Sequence, residues 1–478
     1  MKKIIIILIA IAGLNFVSCK KLDQMNIDTK SAIKVPSATL FANALRNLVD
    51  QETTPSVNKN VFRPFSQYWT ETTYIDESNY DITTRTIPDF EFRTIYRDVL
   101  SNLQEAKKVI ATETVIESSD AEKKNKTAVT EILTVFAFQR EVDIFGNVPY
   151  EQALDITNIL PVYDDAQSIY ANLFTRLDAA IGEIDVTANG FNDGDLVYNG
   201  NMAKWKAFAN SLKLKMAITV ADVAALDPGG KATSAVAGGV FTSSADNATF
   251  AYLTASPNTN PIWVELVASG RYDWVAANTI VDKMTSLNDP RMPFYFDDNL
   301  GGGVYTGGIF GESNDYSSYT HVTPTIQAPD WRGLLLDYTE VQFYLAEAVE
   351  RGFIGGSAET YYNEGITSSI TEWGGTAGDA SAYLANPAVA YTTAAGTYKD
   401  KIGTQAWLAY YDRGLLGWTT WRRLDAPTFN PPASTLAPFP LRYTYPAGEQ
   451  TLNGTNYTAA AAAIGGDEQT TKLFWDKF

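Results

Sequence analysis

One spacing recurs in this chain and limits what it can fold into. Ile95-Tyr96 opens a run that continues with Leu100, Leu103, Ala106 and Ile110. Ile169-Tyr170 opens a second, with Phe174, Leu177, Ala180 and Ile184. Both follow I-Y-x3-[LF]-x2-L-x2-A-x3-I, and they start 74 residues apart. Apolar residues three and four apart line one face of an α-helix and must be covered by another element. Each run is followed by a further helical stretch, 127–145 after the first and 202–221 after the second. Helix pairs at this spacing point to stacked units of tetratricopeptide type, whose period is about 34 residues. More helices are expected over 37–50, 279–286, 334–351, 358–373 and 402–416, with Gly352, Gly374-Gly375 and Gly417 as punctuation. Between 222 and 333, and again after 425, the chain is rich in Gly, Ser, Thr, Asn and Pro, as long irregular loops are. The expected fold class is mainly α, with tetratricopeptide-like helix pairs forming a scaffold beside a long loop-rich part.

The N-terminus reads as an address. Met1-Lys2-Lys3 is basic, and Ile4 to Leu14 is almost purely apolar. Eleven helical residues span roughly 16 Å, about half a bilayer core, so this is a signal segment and not a membrane span. Cys19, the chain's only cysteine, follows Ser18 at the end of that run. The arrangement resembles the bacterial lipobox, whose Cys is acylated and becomes the mature N-terminus, although Phe16 stands where Leu is usual. An ordinary signal peptide is the competing reading. The expected organisation is a lipoprotein signal peptide over 1–18, a lipidated N-terminus and tether over 19–36, and a single helical-repeat domain over 37–478.

Composition removes whole classes of function. The 478 residues carry 37 basic and 55 acidic side chains, a formal charge of −18, which repels phosphate backbones, so no nucleic-acid partner is expected. One His and one Cys exclude multi-His metal centres, zinc clusters and iron–sulfur sites, so neither metal nor cofactor is expected. The chain has no G-x-S-x-G, H-E-x-x-H, P-loop or C-x-x-C string. Asn192-Asp193-Gly194-Asp195 reads as a turn, since it lacks the spaced ligands of a calcium loop. His321 reads as an exposed or hydrogen-bonded loop residue, and Arg422-Arg423 as members of internal ion pairs. Acid pairs are numerous enough that a lipid-anchored glycoside hydrolase is the enzymatic competitor, and a protein-binding adaptor built on helical repeats is a third reading.

Several strings then converge. Asp143-Ile144-Phe145-Gly146-Asn147-Val148-Pro149-Tyr150 is followed by Pro161-Val162-Tyr163-Asp164 and Tyr198-Asn199-Gly200-Asn201 with Lys204-Trp205. Asn288-Asp289-Pro290-Arg291, Leu345-Ala346-Glu347-Ala348 and Trp421-Arg422-Arg423 come later in the same order. Together they resemble the SusD/RagB family of outer-membrane nutrient-binding lipoproteins, in its SusD-like branch, over nearly the whole mature chain. The resemblance implies a non-enzymatic glycan-binding (in some members peptide-binding) protein on the outer face of the outer membrane. It would act as a lid on a SusC-type TonB-dependent transporter. It also places the ligand surface in the loop-rich part. There, Trp69, Tyr74 and Trp274 are the expected stacking platforms and Arg271 the hydrogen-bonding rim residue, because flat sugar faces are covered by aromatic rings and hydroxyls need polar partners. Tyr96 and Tyr170, on the periodic helix faces, are expected to be packing residues.

Overall fold

Helix starts and stops follow local chemistry. Pro36 precedes α1 (Ser37–Thr53), which buries Phe41, Leu45 and Leu48. The first repeated run lies on α2 (87–112), whose middle, Thr94–Leu100, is wound as a π-helix between two α-helical segments. A reciprocal Ser119–Glu122 capping box opens α3 (Asp120–Phe145), seven residues ahead of the expected start. Asp165 caps α4 (Ala166–Glu183) and Asn201 caps α5 (Met202–Thr219). Asp337 caps α6 (Tyr338–Glu350), and Ser357 caps α7 (Ala358–Glu372). The helix expected over 402–416 is two, α8 (Tyr398–Ala409) and α9 (Gly414–Leu424). Gly414 opens α9 where there is no room for a side chain, since a Cβ there would lie 2.4 Å from the Arg63 backbone nitrogen. The computed structural model describes residues 35–478 apart from Thr435, so the signal segment, Cys19 and nearly all of the tether lie outside the described residues.

Among the described residues the long helices form four pairs, α2–α3, α4–α5, α6–α7 and α8–α9. Successive pairs pack through α3–α4, α5–α6 and α6–α8. The repeated apolar positions face inward: Ile95, Leu100, Leu103, Ala106 and Ile110 are buried, as are Ile169, Phe174, Leu177 and Ala180. Tyr170 is buried with its hydroxyl 2.6 Å from Asp143 Oδ1, and half-buried Tyr96 donates to the Pro149 carbonyl at 2.5 Å. Both are packing residues, as expected. Gly146 stops α3 with φ 87° and ψ −118°, a positive-φ conformation that glycine adopts without steric cost. No helix among the described residues is long and apolar enough to cross a membrane.

Charges are buried in pairs, with one departure. Arg423 makes the expected ion pair, with Glu347 oxygens at 2.7 and 2.9 Å. Arg422 does not. Its guanidinium donates to the carbonyls of Asp143 and Leu441 and lies 3.5 Å from the Trp418 ring centre and 4.8 Å from that of Trp475. Residues adjacent in a helix point about 100° apart, so the two arginines meet different neighbours. Burial without a carboxylate partner pulls the Arg422 pKa down.

Two small antiparallel ladders organise the loop-rich part. The first pairs β1 (Trp69–Glu71) with a strand 200 residues later, and the second pairs β2 (Thr249–Phe250) with Gly333–Leu334. The first partner strand is β3 (Trp274–Ala276), and Gly333–Leu334 is β4. Leu334 in β4 is why α6 starts later than the expected residue 334. A second, smaller core of Tyr68, Trp69, Ile262, Trp274, Tyr295, Trp407 and Tyr411 forms around the β1–β3 ladder.

Candidate functional site

Register fixes the site. In the β1–β3 ladder Trp69 faces Ala276, Thr70 faces Val275 and Glu71 faces Trp274. Alternate residues share a face, so Trp69, Glu71 and Trp274 lie on one side of the ladder. Beyond the ladder, Thr72 N–H donates to the Asp273 carbonyl at 3.0 Å and Thr72 Oγ1 to the Tyr272 carbonyl at 2.6 Å. The chain then bends through Tyr74, whose φ is +57°. That is a costly backbone conformation for a bulky side chain, and such outliers gather at ligand clamps. It leaves the Tyr74 ring 67% exposed. On the other strand, Arg271 grips Asp273 with Nε and Nη2 at 2.5 and 2.9 Å.

These residues enclose a cavity of about 290 Å³, lined by Glu71, Tyr74, Arg85, Glu265, Arg271, Asp273 and Trp274 with the 55–58 turn. Three of the four residues expected to bind a ligand, Tyr74, Trp274 and Arg271, therefore line one hollow. Trp69 does not. Its ring is fully buried, its indole N–H donates to the Tyr411 hydroxyl at 3.0 Å, and its centroid lies 6.0 Å from that of Trp274. The expectation that Trp69 stacks on a ligand is corrected: it is a core residue that supports Trp274 from below. Trp274, 5% exposed, offers the cavity little surface.

Tyr272 was not singled out as a platform, yet it is 63% exposed and its ring lies 4.7 Å from that of Tyr316. Tyr316 stacks in turn on His321 at 3.7 Å, and His321 Nε2 lies 2.8 Å from the Tyr316 carbonyl, a hydrogen-bonded loop histidine as read from the sequence. Among the described residues the exposed aromatic rings are Tyr74, Tyr272 and the C-terminal Phe478. Two of the three thus flank Arg271 and Trp274. Trp331 is committed elsewhere, to Asp412 Oδ2 at 2.8 Å.

The electrostatics of the floor are unusual. Glu71 and Glu77 are both buried, and their carboxyls meet. Burial first, then the Glu77 charge, hold the Glu71 carboxyl well above the usual carboxylate range. Glu77 keeps its charge company with Arg85. Two buried acids thus lie beneath the cavity. A second hollow of about 270 Å³, containing Phe90 and Lys59, shares Glu265 as a wall. A third hollow, about 510 Å³, lies on the faces of α2, α3 and α4 and is lined by alanines, Ile110, lysines, Arg176 and glutamates without a ring. The Asn192–Gly194 segment is a turn, and Asp195 caps it with bonds to the backbone of Val197, Tyr198 and Gly200 and to the Trp205 indole.

Helix pairs stacked as a scaffold, with an aromatic-rimmed hollow built wholly from the non-repeat part, define a repeat-scaffold binding architecture. Solved structures share it. A chitin-binding protein is 26% identical with a TM-score of 0.79, covering 92% of this chain and 100% of its own. A SusD homologue from Bacteroides uniformis is 26% identical with a TM-score of 0.78, covering 92% and 99%. A chitin-binding SusD homologue from Flavobacterium johnsoniae, at 21% identity and a TM-score of 0.77 over 91% and 98%, shares the fold. No curated protein matches the chain. Residues 28–446 match the SusD-like family described as starch-binding and associating with the outer membrane. The chain belongs to the SusD-like family.

Proposed function

We propose that this chain is a cell-surface, lipid-anchored glycan-binding protein. It captures an oligosaccharide in the Tyr74–Trp274 cavity and delivers it to a SusC-type TonB-dependent transporter in the outer membrane, without covalent chemistry. The observation that carries the reading is the strained, exposed Tyr74 ring set beside a hollow with Arg271, Asp273 and Trp274 on its walls. Sugars need that combination of a flat apolar face and fixed polar partners. The neighbouring hollow behind Glu265 gives room for a chain of more than one sugar. The family description and the chitin-binding relative support a glycan over a peptide.

The acid pair at the floor is not arranged as a hydrolytic pair. A glycosidase sets two carboxyls about 5–10 Å apart with the scissile bond between them. Glu71 and Glu77 touch, and Glu77 is fully buried and ion-paired with Arg85, so no sugar fits between them.

Titration calorimetry with malto- and chito-oligosaccharides tests the reading. Tyr74→Ala is the informative variant because its exposed ring supports little of the core. Loss of one stacking ring costs roughly 0.5–1.5 kcal/mol beyond lost area, or about 2- to 12-fold in affinity. Arg271→Ala should weaken binding as well. Unchanged affinity in both folded variants would remove the ligand from this cavity, and turnover of any glycan by the wild type would overturn the non-enzymatic reading.

A further inference from the structure

The chain enters the body at one end of the helix stack, and aliphatic side chains are left bare around that point. Ser37 Oγ donates to the Glu113 carboxylate, and a Cβ at Gly194 would come within 2.8 Å of Ala38 Cβ. These contacts set the turn between α2 and α3, and the segment that follows α4, beside the first turn of α1. Asn125, near the start of α3, fastens the segment after α4 to that helix, donating to the carbonyls of Asp185, Ala188 and Asn189 at 2.8–3.1 Å and accepting from Asp185 N–H at 2.9 Å. Around this junction Ile116 is 99% exposed, Val115 73%, Val186 52% and Leu196 42%. The turn carrying Val115 and Ile116 is closed by Glu117 and Ser118 N–H groups on the Thr114 carbonyl, both at 3.0 Å. Both side chains are thereby held out from the body. Exposed aliphatics also gather in the loop before α4, where Ile156 is 92%, Ile159 82% and Leu160 49% exposed, so what singles out this end is its place beside the entry of the chain.

We propose that this end rests in the headgroup layer of the lipid bilayer, with Val115 and Ile116 at the acyl boundary. The inference rests on the lipid-anchor reading of Cys19. Residues 20–35 separate Cys19 from Pro36. Those residues span about 55 Å fully extended, and about 22 Å as a flexible coil. The start of α1 is therefore the part of the body held nearest the leaflet, and the bare aliphatics surround it. Charge does not supply the attraction. Lys126 pairs with Glu113 at 3.0 Å and Lys124 with Glu183 at 3.3 Å, while Asp185 and Asp193 add negative charge. The contact is apolar and indifferent to salt.

The test places an environment-sensitive fluorophore on Ile116→Cys in the full acylated chain, reconstituted into phosphatidylethanolamine–phosphatidylglycerol vesicles. Cys19 is the only native cysteine, and its acylation, read by intact mass, leaves the new thiol as the single labelling site. Ile156→Cys is the control: Ile156 is 92% exposed and lies in the loop before α4, at the far end of an 18-residue helix roughly 27 Å long. The expected result is a blue-shifted signal at position 116 that lipids with headgroup-proximal spin labels quench at least about threefold more than at position 156, with no change on adding salt. Equal quenching at the two positions overturns the proposal. A blue shift without lipid quenching but with self-quenching assigns the surface to a second copy of the chain and also overturns it. An unacylated chain that stays off the vesicles overturns both this inference and the anchor reading, and the intact mass tells that case apart.

Discussion

Glu141→Gln is expected to stabilise the protein at neutral pH and to leave it nearly unchanged in mild acid. Glu141 lies inside α3 with its side chain fully buried, and neither carboxyl oxygen has a hydrogen-bond partner among the described residues. The nearest cation, Arg140, is already held by Glu91 at 2.7 and 3.0 Å and by Glu52 at 2.6 Å. Burial, and then the charge of Glu91, hold the Glu141 carboxyl well above its ordinary value of 4.5. A folded-state pKa raised in this way gives stability that is fully present below 4.5 and is lost as pH rises toward the folded value. Each pH unit over which the folded state keeps a proton that the unfolded chain releases costs about 1.4 kcal/mol. Gln keeps the shape and cannot ionise, and its buried amide leaves polar atoms unpaired much as the neutral acid does, so that cost largely cancels. Between about pH 5 and about pH 7 the variant should therefore gain on the wild type, the gap widening by about 1.4 kcal/mol for each pH unit up to the folded-state value. Guanidinium unfolding curves at both pH values measure the gap, with the slope checked for constancy. A gap of the same size at both pH values, or a Gln variant less stable at neutral pH, would show that Glu141 is charged and compensated in the folded protein.

Trp69→Ala should destabilise the protein by roughly 3–5 kcal/mol through the cavity it leaves in the second core. Denaturant unfolding checks this, and unchanged stability with lost ligand affinity would return Trp69 to the binding surface. Cys19→Ala should leave the chain unprocessed or release it from membranes; a variant that still partitions with detergent at the wild-type mass is incompatible with the lipid anchor. Gentle detergent extraction of the native protein should co-purify a partner of barrel size, and recovery only as a free monomer across several detergents would count against delivery to a transporter.

The helix pairs were legible in the sequence because their signal is local. A face of Ile95, Leu100, Leu103, Ala106 and Ile110 has to be buried whatever covers it. Close approaches made by distant residues were less legible: α9 opens on Gly414 because Arg63 backbone occupies the space a side chain would need, a contact between residues some 350 positions apart. The candidate site is more demanding still, since it exists only where the segment after α1 meets a strand 200 residues later. Trp69 and Tyr74 both stand in the same polar, β-branched stretch and read alike. Two-residue alternation puts Trp69 and Glu71 on the face turned toward Trp274, but which side of so short a strand is buried is set by β3 and by Tyr411, not by the strand itself. The positive φ that turns Tyr74 outward is equally absent from the local pattern, which holds no Gly or Asn at that position. Arg422 and Arg423 make the same point for charge. The dipeptide shows two cations; only the 100° step of α9 sends one to Glu347 and the other onto two tryptophan rings. Residues whose role is set by their own helix face can be assigned from sequence, whereas residues whose role is set by a partner hundreds of positions away cannot, and in this fold the residues of the candidate site belong to the second kind.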